Sequence, residues 1–164
     1  MPATNIVPTG GGRRCAVVFN PTKVSDRFHE LVQACLDRDG WTDTLWLETA
    51  AEDSGRAMTR RAVAEKVDLV IGAGGDGTIR LVADGLANTG TAMGLVPAGT
   101  GNLLARNLGL PLDEVDALEV AFAGHTRRID LVELTVDGRR SEHFAVMAGV
   151  GIDAMIMDET DPRL

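Results

Sequence analysis

Apolar positions along this chain fall into two rhythms. Cys15–Phe19 is a short unbroken apolar run, which predicts a buried strand ended by Asn20-Pro21. From Ser25 the spacing turns helical, with Phe28, Leu31, Val32, Cys35 and Leu36 on one face, and Asp39-Gly40 closes that helix. Thr44–Glu48 reads as a second strand and residues from about Ser54 to Lys66 as a second helix. A third strand, Leu69–Ile71, runs into Gly72-Ala-Gly-Gly-Asp-Gly-Thr78. A helix follows with Ile79, Val82, Ala83 and Leu86 on one side and Gly90 at its end. Ala92–Val96 is a fourth strand, followed by Pro97-Ala-Gly-Thr-Gly-Asn102 and helical segments near Leu103–Asn107 and Asp113–Phe122. Strands alternating with helices imply an α/β domain with a mostly parallel, Rossmann-like sheet.

The rhythm changes after Gly124. Arg128–Val136 alternates like a strand, Asp137-Gly138 is a hairpin turn signal, and Phe144–Val150 reads as the return strand. The expected organisation is a flexible arm at 1–13, an α/β nucleotide-binding domain at 14–124, and the first strands of an antiparallel β second domain at 125–164. Strands without partners imply that the natural protein continues past Leu164, with Met155 and Met157 in the core of that second domain.

Composition narrows the picture. Aromatic residues make up 4% of the chain and tyrosine is absent, so the core must be aliphatic. A net charge of −8 disfavours nucleic acid as a partner and standing adsorption to anionic membranes. Cys15 and Cys35 each lie among apolar residues and are expected as buried thiols. The opening 14 residues lack a signal-peptide pattern and no apolar run approaches membrane-spanning length, so a cytoplasmic protein is expected.

Two loops carry candidate chemistry. Gly74-Gly75-Asp76-Gly77-Thr78 lies between a strand and a helix. Glycines let backbone N–H groups approach phosphate oxygens, and a helix N-terminus adds partial positive charge. A carboxylate there suits Mg²⁺ or a hydroxyl to be deprotonated; alternatively Asp76 caps the helix. The segment lacks the Lys-Ser/Thr pair of a P-loop and the spacing of a dinucleotide fingerprint. Pro97-x-Gly99-Thr100-Gly101-Asn102 also follows a strand, and two such loops at adjacent strand ends would face one crevice. Thr100 or Asn102 could instead cap the next helix. Histidines 29, 125 and 143 lack metal-ligand spacing, and the arginine pairs read as solvated faces.

Asn20-Pro21, Gly74-Gly75-Asp76-Gly77-Thr78 and Pro97-Ala-Gly-Thr-Gly-Asn102, in this order, resemble the catalytic domain of diacylglycerol kinases and related sphingosine and ceramide kinases. The resemblance runs from about Arg14 onward. It implies an ATP- and Mg²⁺-dependent kinase that moves the γ-phosphoryl group to a lipid hydroxyl such as that of diacylglycerol, giving phosphatidic acid. Gly74, Gly75, Asp76, Gly77, Thr78, Ile79 and Arg80 would form the phosphate segment, with Asn20, Thr49, Thr100 and Asn102 as further nucleotide contacts. Thr49-x-x-Glu52 also reads as a capping box, and the two roles are compatible. Asp76 would organise Mg-nucleotide or help activate the acceptor, so Asp76→Ala is expected to abolish transfer with the fold intact.

Many members of that family carry Asp where this chain has Leu103, and Asp130 is a candidate to supply a metal-linked carboxylate through water, or else a surface charge. The resemblance also implies a catalytic acid and further metal ligands far downstream of this chain. A lipid kinase of this kind would meet its substrate at the membrane surface by transient association. Its exposed hairpin could pair with a second copy. The alternatives are an NAD kinase-like phosphotransferase, since NAD kinases carry similar glycine loops, and a non-catalytic nucleotide-binding fragment.

Overall fold

The computed structural model describes residues 4–5, 12–136 and 140–147. Its centre is a four-stranded sheet of β2 (Arg13–Phe19), β3 (Trp41–Glu48), β4 (Leu69–Gly74) and β5 (Ala92–Pro97), in the order β3-β2-β4-β5, with every pair parallel. Helices α1 (Phe28–Arg38), α2 (Arg56–Ala64), α3 (Asp76–Leu86), α4 (Leu103–Leu108) and α5 (Glu114–Phe122) complete the domain.

Period-two alternation sends each strand's side chains to two different cores. Cys15, Val17 and Phe19 of β2 join Leu69, Ile71 and Ala73 of β4 against α1 and α5. Ala16, Val18 and Val70 face the other way, onto Ala62 of α2 and Val82 and Leu86 of α3. A third cluster sets Ile79 and Leu95 against Leu104 and Ala105 of α4. The unbroken apolar runs of β2 and β4 are what a strand covered on both faces requires. Phe28 and Val32 are fully buried, and burying such a side chain stabilises the fold by roughly 1.5–3 kcal/mol each. Both cysteines are free and buried, as expected, and burial pushes the Cys15 thiol up to about 12.

Several boundaries move. Helix α1 begins at Phe28 rather than Ser25, because the Ser25 hydroxyl and backbone N–H both donate to the Glu114 carboxylate. Helix α2 begins at Arg56, and the Thr49–Glu52 capping box does not form. Asp53 takes that role: its carboxylate accepts from Gly55 N at 2.9 Å and Met58 N at 3.1 Å. The arm is partly structured, since β1 (Thr4–Asn5) pairs antiparallel with β6 (His125–Thr126). The rest of the expected arm, 1–3 and 6–11, lies outside the described residues.

The antiparallel hairpin is present as β7 (Val132–Val136) and β8 (Arg140–Phe144), with Val132 opposite Phe144 and Val136 opposite Arg140. The return strand therefore ends where it was expected to begin. A tight hairpin pairs its strands from the turn outward, so Arg140 joins the ladder at once. The turn at Asp137-Gly138, positions 148–150 of the expected return strand, and Met155 and Met157 lie outside the described residues.

Candidate active site

Parallel pairing places all four strand carboxyl ends at one edge, and every predicted loop follows one of them. Asn20 follows β2, Thr49 follows β3, Gly75 follows β4, and the 98–102 loop follows β5. The chain moves from β2 to β3 on one side and to β4 and β5 on the other, so the order reverses between β2 and β4. Such a switch point leaves a crevice at the carboxyl edge. The backbone crosses it once, where Asn20 N donates to Ala73 O at 2.9 Å. Residues 20–22, 49–51 and 54 line a cleft of about 340 Å³ beside it. The Asn20 side chain is used within its own turn, accepting from Thr22 N at 3.0 Å and Thr22 Oγ1 at 2.8 Å. Thr49 is half-buried on the cleft wall, and its N–H donates to Phe19 O.

The two glycine loops touch. A Cβ on Gly99 would lie 2.7 Å from Gly75 Cα, so only glycine permits this approach. Asp76 bridges the loops: Oδ2 accepts from Asn102 N at 3.0 Å and Oδ1 from Leu103 N at 2.6 Å. A Cβ on Gly101 would come 2.8 Å from that same Oδ2. Asn102 sits in the left-handed region at φ 50°, ψ 44°, and its amide closes the loop by accepting from Gly99 N and donating to Gly99 O, both at 2.8 Å.

Asp76 is therefore a cap, but for a different helix from the one it begins. Its carboxylate serves the start of α4, as the Asp53 carboxylate serves α2 and Asp113 serves α5. Helix α3 itself starts at Gly75 with no side-chain cap. The N–H groups of its first turn point out of the helix end, where an anion is favoured. Around them, Gly77 is exposed and a Cβ there would meet nothing within 4 Å, while Thr78 and Ile79 are buried. Thr100 is exposed on the second loop.

The remaining predicted residues stand apart from this centre. Arg80, one turn into α3, donates to Glu142 Oε2 of β8 at 3.1 Å. Asp130 is exposed in the stretch between β6 and β7. Among the described residues no group of three or more His, Cys, Asp or Glu is placed to hold a metal ion. Leu103, where an aspartate was expected from the family, contributes its backbone N–H rather than its half-exposed side chain.

Sequence reasoning missed a polar junction on α3. Asp84, with a side chain 3% exposed, lies 2.6 Å from Arg56 Nε, and its Oδ1 accepts from His143 N at 2.9 Å and meets His143 Nδ1 at 2.9 Å. Burial alone would raise the Asp84 carboxyl; the His143 hydrogen bonds and the Arg56 charge outweigh it and hold it below the usual carboxylate range. Asp84 lies one turn after Arg80, off the face of Ile79, Val82, Ala83 and Leu86, so the helical pattern reads it as a solvated position and carries no signal of the junction.

A four-stranded parallel sheet between two helical layers, with paired glycine loops at its carboxyl edge, defines a doubly wound α/β domain. Within that class the chain belongs to the diacylglycerol kinase catalytic domain family, which it matches over residues 14–134. It is 30% identical over 159 residues to a diacylglycerol kinase of Staphylococcus saprophyticus, an alignment covering 93% of this chain and 50% of that protein. A Staphylococcus aureus diacylglycerol kinase is 31% identical, with 93% and 48% covered. The crystal structure of a diacylglycerol kinase from Bacillus anthracis shares the fold with a TM-score of 0.64 at 24% identity, over 80% of this chain and 45% of that one. The chain thus spans about half the length of the curated relatives it matches. Among the described residues no helix is long and apolar enough to cross a membrane.

Proposed function

We propose that this chain forms the nucleotide half of an ATP-dependent lipid kinase, binding nucleotide phosphates between its two glycine loops. One observation carries the reading. Helix α3 opens on the crevice without a side-chain cap, while the adjacent carboxylate, Asp76, is turned away to pin the second loop. An acid on α3's own N–H groups would repel phosphate; here those donors are left for an anion.

Gly75, Asp76, Gly77 and Thr78 would supply backbone N–H groups, with Gly77 leaving room for the phosphates. Asn20, Thr49 and Thr100 would surround the rest of the nucleotide from the neighbouring strand ends. When bound, ATP brings the transferable phosphoryl group and Mg²⁺ neutralises its charge. A carboxylate offers about four lone-pair sites, and Asp76 commits two to N–H groups, so it can still accept from metal-bound water. That fits an indirect metal role for Asp76; Asp130 would need to approach from the segment before the hairpin. The chain's own contribution is positioning and electrostatic preorganisation.

In this reading residues 14–124 are the nucleotide-binding domain and 125–164 begin a second one, and the acceptor is a lipid hydroxyl such as that of diacylglycerol, met at a membrane surface. The NAD kinase alternative loses its support, because the match to the diacylglycerol kinase family extends over 14–134 and not over the glycine loop alone.

The test is thermal unfolding of this chain with and without Mg-ADP. A ligand that binds only the native state raises the midpoint. A rise that disappears in Asp76→Ala supports the site. A cooperatively folded chain with no rise rejects it. Phosphoryl transfer to diacylglycerol against NAD, assayed in the protein containing this domain, decides the acceptor.

A further inference from the structure

Arg106, exposed on α4, is joined to the second glycine loop at two consecutive carbonyls. Its Nε donates to Gly101 O at 2.9 Å, and its backbone N–H donates to Asn102 O at 3.0 Å. The Gly101 carbonyl shares a peptide unit with Asn102 N, which donates to Asp76 Oδ2 at 3.0 Å. That peptide is trans, so its C=O and N–H point in opposite directions. Arg106 and Asp76 therefore hold one peptide group from its two ends.

Two physical effects follow. A guanidinium on the carbonyl oxygen polarises the amide and makes the N–H on the far side a stronger donor to Asp76. Its bonds to the carbonyls before and after the Asn102 N–Cα–C unit also fix that turn. Asn102 is left-handed, at φ 50° and ψ 44°, and Leu103 begins α4. Left-handed backbone followed by helical backbone turns successive N–H groups to one side, forming a small anion cradle. The Asp76 carboxylate fills it, with Oδ1 on Leu103 N at 2.6 Å. Among the described residues the Arg106 side chain makes no other hydrogen bond, whereas Arg56 and Arg80 are each committed to a carboxylate. The charge of Arg106 acts on the loop alone.

We propose that Arg106 is a positioning residue for Asp76: through the Gly101–Asn102 peptide it fixes the carboxylate in the orientation that leaves its remaining lone pairs for metal-bound water. The inference rests on the nucleotide reading of the glycine loops and deepens it by one residue outside both of them. Arg106 touches neither phosphate nor metal in this role, so its influence is felt only where Asp76 meets the metal.

The experiment is calorimetric titration of this chain with ADP, once with Mg²⁺ and once with EDTA, alongside urea unfolding. The variants are Arg106→Gln and Arg106→Lys. Arg106→Gln should weaken Mg-ADP about three- to tenfold, within the coupling expected of residues in one hydrogen-bond network, and leave ADP in EDTA unchanged. Arg106→Lys keeps a cation able to donate to the same carbonyl and should recover most of the loss. A direct phosphate contact would weaken both forms of ADP, the metal-free one more. A plain loop brace would weaken both alike and lower the urea midpoint, or abolish cooperative unfolding. Either pattern, or undiminished Mg-ADP affinity in Arg106→Gln, overturns the positioning role and leaves the nucleotide site standing. A wild-type chain that binds ADP equally with and without Mg²⁺ overturns it through Asp76. A wild-type chain that binds neither overturns the nucleotide reading itself.

Discussion

Two aspartates in this domain sit at the start of helices and do opposite things. Asp113 precedes α5 and accepts from Val115 N and Asp116 N, two and three residues ahead. Asp76 opens α3 and accepts from Asn102 N and Leu103 N, on a loop that follows a different strand. The first closes its own helix; the second leaves its own helix open and closes its neighbour's. The difference teaches that a carboxylate in a glycine loop need not cap the helix it begins: it can hold the loop opposite and leave its own helix without a side-chain cap.

The largest effect should come from Asp76. Asp76→Ala strands two N–H groups that now meet a carboxylate, and should cost about 2 kcal/mol in urea unfolding as well as the Mg-ADP response. The sequence alone led to the expectation of an intact, merely inactive fold; the loop contact makes loss of stability part of the phenotype. Gly99→Ala should come next, because its Cβ would press on backbone that cannot rotate aside. About 1–3 kcal/mol of destabilisation and a lost Mg-ADP response are expected. If Gly99→Ala is as stable as wild type, the loops do not pack as described.

Gly77→Ala separates binding from stability most sharply. A Cβ there meets no protein atom, so unfolding should be unchanged or slightly improved, while the methyl intrudes on the proposed phosphate space and weakens Mg-ADP. Undiminished Mg-ADP affinity in that variant would place the phosphates elsewhere. Asp113→Ala should cost about 1 kcal/mol and leave nucleotide affinity untouched, as a purely local cap does. The last test reads pH dependence and not a single midpoint: it concerns Asp84, whose folded carboxyl is held below its ordinary value. Its contribution is complete above the unfolded value, near pH 4, and is lost as pH falls through the lower folded value. Urea unfolding between pH 7 and pH 3 should therefore lose part of its acid slope in Asp84→Asn.

The elements read most easily were those whose signals are local. Cys15–Phe19 and Leu69–Ile71 carry unbroken apolar runs, and both became central strands. Helix α3 and the loops on either side of it were placed by glycine spacing. Misreadings arose where a residue had two partners to choose from. Thr49 and Glu52 looked like a capping box, yet Asp53 stands nearer the first turn of α2 and took the donors. Phe144 looked like the start of a strand and is its end, because pairing grows from the turn.

By itself the sequence determined the α/β class, the four parallel-strand segments, and the edge at which the glycine loops gather, since period and turn chemistry act within a few residues. Only the tertiary structure decided that Gly75 rests on Gly99, that Asp76 caps α4, and that Arg56, Asp84 and Glu142 meet. Those contacts join residues 24 to 86 positions apart. Whether a carboxylate caps its own helix or another is settled by which N–H groups packing brings within about 3 Å of it, and no local pattern records that distance.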